Sequence, residues 1–203
     1  MRLADEAVRA ALPPPTGEWR SEAGLRDSAV LAVLLEREGA DRLLFNVRRD
    51  DLPWHPGQIC FPGGAREGDE DALACAVRET CEEVGLPAGE LAPLGRLPDR
   101  VSIAGFKVAA FLARLRAPRA YAPRAEEVAE VFEVPFAALL EPARWGFTET
   151  AHPLARFRRV PCFDYDGRRV WGLTGILLRD LVDLVGGAAP ATRRTPGSRP
   201  PSP

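Results

Sequence analysis

GGAREGDEDALACAVRETCEEVGL, residues 63–86, carries a glycine pair, an acidic turn and a helical pattern in one run. Leu73, Ala76, Val77, Thr80 and Val84 recur at helical spacing and predict a core-facing stripe. Asp69 is the expected N-cap, with Glu70 and Asp71 in a first turn where the helix dipole favours negative charge. Gly85 reads as the left-handed residue that ends the helix. Glu79, Glu82 and Glu83 fall off the apolar stripe, so the expectation is an acidic face turned outward.

Outward from the helix, Phe61-Pro62-Gly63-Gly64 is a segment whose backbone can approach a ligand closely, because glycine has no Cβ. Three carboxylates on one small area repel unless a cation sits among them, and carboxylate oxygens suit Mg²⁺ or Mn²⁺, which in turn suit phosphate. An ExxEE helix face taken alone is ordinarily a solvated surface, so the fragment does not decide the chemistry.

The wider spacing decides it. Gly64, Glu70, Arg78, Glu79, Glu82, Glu83, Gly85 and Leu86 match a glycine, five residues, a glutamate, seven residues and REUxEExGU, with Thr80 in a slot that is usually aliphatic. In this the chain resembles the Nudix hydrolases. The resemblance implies an α/β protein with the Nudix-type α/β/α sandwich around a mixed sheet. It implies Mg²⁺ or Mn²⁺ held by Glu79, Glu82, Glu83 and the Gly63 carbonyl, with Arg78 orienting the cluster and Glu70 bracing Arg78. The reaction it implies is attack of water on a bridging diphosphate. The base is open between a box glutamate and a loop residue, for which Glu126, Glu127 and Glu130 are the candidates.

The segment before the box resembles the coenzyme A pyrophosphatase branch of that family. Arg48 is followed nine residues on by Gly57 and then by Phe61-Pro62-Gly63-Gly64, with Leu52, His55, Gly57 and Gln58 fitting an LxxHxGQ pattern. Gly167, Trp171, Gly172 and Thr174 fit the GxxxWGxT segment of that branch. Pro53 stands where a second arginine is usual, and Arg49 where a small residue is usual. The implied substrate contacts are Arg48, Arg49, His55, Gln58, Gly63 and Gly64. The implied reaction yields 3′,5′-ADP and a 4′-phosphopantetheine from coenzyme A or its thioesters. The alternatives are a Nudix pyrophosphatase for ADP-ribose or a dinucleotide, and a non-catalytic Nudix nucleotide-binding regulator. Arg48 shares a strand face with Leu44 and Asn46. Trp54 and His55 either pack on an adenine or stiffen a proline-bounded loop, and Lys107 reads as an edge or surface residue.

Composition constrains the rest. The chain has 203 residues, 46% hydrophobic and 28% charged, with a formal charge of −2 that gives no support to nucleic-acid binding. Its N-terminus, MRLADEAVRAAL, is interrupted by charge and reads as neither a signal peptide nor a membrane span. Cys60, Cys75, Cys81 and Cys162 form no CxxC pair, consistent with reduced thiols in a cytoplasmic enzyme. A homodimer is left open. Three parts are expected: an N-terminal helix and Pro-rich link over 1–24, a catalytic domain over 25–186, and a disordered tail over 187–203. Periodicity predicts a helix over 3–12 and strands over 28–36, 42–48, 91–97, 106–115 and 128–134, with a short helix near 136–140. A hairpin over 156–163 and 168–171 turns at Asp166-Gly167. Leu173, Ile176, Leu177, Leu181 and Leu184 mark a last helix.

Overall fold

In the computed structural model, residues 1–52, 56–149 and 159–188 are described. The chain runs through helix α1 (Asp5–Ala11) and strands β1 (Arg26–Arg37), β2 (Ala40–Arg48), β3 (Ile59–Cys60) and β4 (Gly63–Ala65). Helix α2 (Ala72–Val84) and strands β5 (Leu91–Val101), β6 (Phe106–Leu115) and β7 (Val128–Pro135) follow. Then come α3 (Phe136–Leu139), β8 (Trp145–Glu149), β9 (Arg159–Tyr165), β10 (Arg168–Val170) and α4 (Gly172–Val185).

The main sheet is mixed: β1 pairs parallel with β6 and antiparallel with β2, β5 closes one side on β6, and β7 lies along β2. Alternation assigns its two faces. Ala29, Leu31, Val33 and Leu35 of β1, with Phe111 and Ala113 of β6, pack against Ala72, Cys75, Ala76 and Val84 of α2. Leu34, Phe45 and Leu112 face the other way, onto Val8 of α1, Phe136 of α3 and Leu177, Leu178 and Leu181 of α4. Each fully buried leucine contributes about 2 kcal/mol, far more than a strand propensity, so a one-residue slip of register is strongly disfavoured. The result is the α/β/α sandwich.

A fork in this sheet positions the site. Strands β1 and β2 are joined by a Glu38-Gly39 turn with both φ values positive, and they pair only from Arg37↔Ala40 to Leu34↔Leu43. Beyond that they diverge, and residues 59–65 fill the gap. Cys60 pairs with Asn46 of β2, Gly63 pairs with Val30 of β1, and Leu31 N donates to Pro62 O (2.9 Å). A Cβ on Gly63 would lie 2.3 Å from the Ala29 carbonyl oxygen, so only glycine fits this close passage.

Several expectations need correction. The cap of α2 is Asp71, whose side chain accepts from Ala74 N (2.8 Å), and not Asp69; Glu70 therefore precedes the helix. Strand β6 is interior, and Lys107 at its start pairs with Glu22 (3.1 Å). The buried stripe of α4 is Thr174, Gly175, Leu177, Leu178, Leu181, Val182 and Val185, which leaves Leu184 outside. The expected helix over 3–12 is α1, around which Leu3, Val8 and Leu12 are buried, and the residues that follow it, 13–20, are exposed or half-buried. A second, three-stranded sheet joins β8, β9 and β10, and β8 was not anticipated. Pro53, Trp54, His55, residues 156–158 and the tail beyond residue 188 lie outside the described residues. Among the described residues no helix is long and apolar enough to cross a membrane.

Candidate active site

Helix α2 ends at Gly85, which adopts φ +76° and donates its N–H to Cys81 O. That stop fixes the last turn against the fork, and the box glutamates project from it into three different environments. Glu83 is only 3% exposed, which overturns the expectation of an outward-facing residue. Its Oε2 accepts from the Asn46 side-chain amide (2.9 Å) and from Gly63 N (3.1 Å). Glu79 lies so close to the glycine pair that a Cβ on Gly64 would fall 2.3 Å from its Oε1. Glu82 is exposed.

Arg78 ties the rest together. Its guanidinium forks onto Glu70 (3.0 and 2.8 Å) and donates to Glu79 Oε1 (3.0 Å), Glu82 Oε2 (3.3 Å) and the Ala65 carbonyl (3.2 Å). The fork holds the Glu70 carboxyl down at about 2, and Glu70 also accepts from Glu67 N. Desolvation works the other way on the helix. It raises Glu79 against the pull of Arg78, and it lifts Glu83 to about 7 despite the Gly63 N–H. The Cys75 thiol, buried beside Gly64 and Ala65, is pushed up to about 12 by the same cause.

The loop before β7 lies along the end of α2, with Ala122 N donating to Val84 O (2.9 Å) and Arg124 N to Glu83 O (3.0 Å). Of the three candidate acids, Glu126 and Glu127 lie in this loop and Glu130 on β7; Glu127 pairs with Arg124 (3.2 Å), and its charge raises both Glu79 and Glu83. Glu130 is engaged by Arg168 (2.6 Å), and Glu126 lies by Arg49. Arg49 forks onto Asp51 (2.8 and 2.7 Å) and donates to Ala125 O (2.9 Å). Arg48 follows Asn46 on β2; its charge favours ionised Glu83, and its buried Nε has no partner among the described residues. Gln58 accepts Arg48 N through its carbonyl and sets its side chain beside Gly172.

Two contributors escaped the sequence reading. Asn46 was visible as a polar residue on the face of β2 that carries Leu44. Trp19, whose Nε1 donates to Glu70 O (2.8 Å), gave no sequence signal, because the segment around it has no periodicity.

A family model described as NUDIX domain matches residues 25–155. The chain belongs to the Nudix hydrolase family. An uncharacterized Nudix hydrolase NudL of Enterobacter sp. (strain 638) is 36% identical over 167 residues, 79% of this chain and 83% of that protein. Its counterpart in Escherichia coli (strain K12) is 34% identical over the same shares. The crystal structure of a MutT/nudix family protein from Enterococcus faecalis shares the fold. It has a TM-score of 0.53 at 13% identity, covering 84% of this chain and 64% of that one.

Nudix hydrolases generally use divalent cations, and the donors of this Nudix site fit one. They are hard carboxylate oxygens, the set that magnesium and manganese prefer. Glu79 and Glu83 are carboxyls whose ionisation is penalised by burial, a penalty that a bound cation offsets. Among the described residues no three His, Cys, Asp or Glu side chains are already gathered as a cation cage. In their place Arg78 spans Glu79 and Glu82, so the arginine holds the acidic face together by charge.

Proposed function

We propose that this Nudix hydrolase is a Mg²⁺- or Mn²⁺-dependent pyrophosphatase. In this reading it splits coenzyme A or its thioesters into 3′,5′-ADP and a 4′-phosphopantetheine. The carrying observation is Arg48, set at the spacing of the coenzyme A branch before Gly57 and the FPGG turn, with an unpartnered buried Nε beside Glu83. Coenzyme A bears a diphosphate and a 3′-phosphate, and a planar guanidinium matches phosphate oxygens better than a point charge does.

Glu79, Glu82 and Glu83 are the residues assigned to the cation, with the Gly63 carbonyl. When bound, the cation supplies neutralisation of charge on the phosphate oxygens. Arg48 binds and orients the diphosphate. Glu127, whose charge reaches Glu79 and Glu83 from the loop before β7, is the residue we assign to accept the proton of the attacking water. Arg49 is already tied to Asp51, so a substrate phosphate competes with that carboxylate for it.

Turnover of coenzyme A, ADP-ribose, NADH and a nucleoside triphosphate, each with Mg²⁺ and with Mn²⁺, tests this. Coenzyme A should have the highest kcat/KM. Faster cleavage of ADP-ribose overturns the substrate assignment, and no cleavage of any diphosphate favours a nucleotide-binding role.

A further inference from the structure

We infer that Asn46 is a positioning residue that fixes the Glu83 carboxylate for the cation, an inference that rests on the metal-dependent reading above. Asn46 stands on the face of β2 that also carries Leu44 and looks onto α2. A residue there is buried, and Asn46 is 1% exposed. An apolar side chain at such a position stabilises the sheet; an asparagine costs desolvation of both ends of its amide.

Only one end is repaid. The amide nitrogen donates to Glu83 Oε2 (2.9 Å), while Oδ1 is buried with no partner among the described residues. An asparagine serving packing alone would be expected to satisfy both ends, since an unpaired buried acceptor costs about 1–3 kcal/mol. The bond it does make is directional. Gly63 N reaches the same oxygen (3.1 Å), so two donors converge on Oε2 and fix the rotation of the carboxylate, leaving Oε1 for a further ligand. Both donors come from the fork of the sheet, one from β2 and one from β4, so the opening between β1 and β2 sets the carboxylate.

Outer partners of metal ligands set ligand orientation, and their loss weakens metal binding by about 10–100-fold. Asn46→Leu has similar volume and no donor. Mn²⁺ affinity, read from the electron paramagnetic resonance signal of free Mn²⁺, should fall about tenfold or more in this variant. Asn46→Ser falls one bond short of Glu83; it carries the same expectation and serves if the leucine variant does not fold. Combining either with Glu83→Gln should add little to the loss caused by Glu83→Gln alone. A dissociation constant within twofold of wild type in a folded variant overturns the role of Asn46, as does full additivity with Glu83→Gln. Wild-type protein that binds Mn²⁺ and loses affinity on Asn46 substitution, yet cleaves no diphosphate, upholds Asn46 and overturns the proposed activity. Wild-type protein that binds no Mn²⁺ overturns both.

Discussion

Glu83 is a carboxyl group almost wholly out of water, held at about 7 against an ordinary value near 4.5. An acid whose value rises on folding binds more protons folded than unfolded between those two points, so stability falls as pH climbs from 4.5 through 7. The loss amounts to about 3 kcal/mol for a shift of this size. In chelator, urea denaturation of the wild type should therefore show that decline, and Glu83→Gln should flatten it. The glutamine still accepts from Gly63 N and Asn46, so at pH 8 without metal the variant should be the more stable protein. Its turnover should nonetheless fall by about 100-fold or more. A variant less stable than wild type under those conditions would mean that the ionised carboxylate itself holds the fold. That Glu79, Glu82 and Glu83 share one helix was legible from their spacing. Their environments were not, because Glu83 is buried by strands that come from elsewhere in the chain, and helical periodicity contains no record of them.

At the scale of elements, α2 depends on its ends. Asp71 caps the start, and Gly85 stops the helix in a left-handed conformation where a Cβ would also meet the Ala122 carbonyl at 2.8 Å. The positive φ alone costs a non-glycine residue about 1–2 kcal/mol, and here the obstructing atom is backbone. Gly85→Ala should lower stability by at least that amount, measured by chemical denaturation. It should also shift the loop that carries Glu127, and so reduce kcat more than it raises KM. A neutral effect on both would show that the loop and the helix end move independently. The helix itself, strands β1 and β2 and the Asp166-Gly167 turn were readable from period and turn chemistry. The start of α2 was misplaced by two residues because Glu70 turns to Arg78 and Glu67 N, which uses the acidic turn as a bracket instead of a first helical turn. Strands β4 and β8 were missed for different reasons. The first is Gly-Gly-Ala, paired only because the fork needs filling, and the second is short and half exposed.

Across the whole molecule, the segment ahead of residue 25 acts as a strap between the sheet and the turn that carries Glu70. Its anchor is Arg96 on β5, 1% exposed, which forks onto Asp99 (3.1 and 2.9 Å) and donates to the carbonyls of Thr16 (2.8 Å) and Glu18 (2.7 Å). The guanidinium also lies over the Phe111 ring at 5.2 Å. From there the strap continues to α2, where Gly17 O accepts Ala72 N (2.8 Å) and Trp19 holds the Glu70 carbonyl. In sequence Arg96 is one arginine among many, and the strap shows only prolines. The information lies in contacts between residues some eighty positions apart, which a local pattern cannot express. Arg96→Met keeps much of the volume but leaves the buried Asp99 carboxylate without its partner and frees the Thr16 and Glu18 carbonyls, and removing one side of such a buried pair costs about 3–5 kcal/mol. Arg96→Lys keeps the charge and loses the fork, so its cost should be smaller. If the strap also steadies the turn that carries Glu70, the methionine variant should lose activity below its unfolding temperature, together with altered fluorescence from Trp19. Loss of stability with kcat unchanged in the folded protein would confine Arg96 to the core and detach the strap from the site.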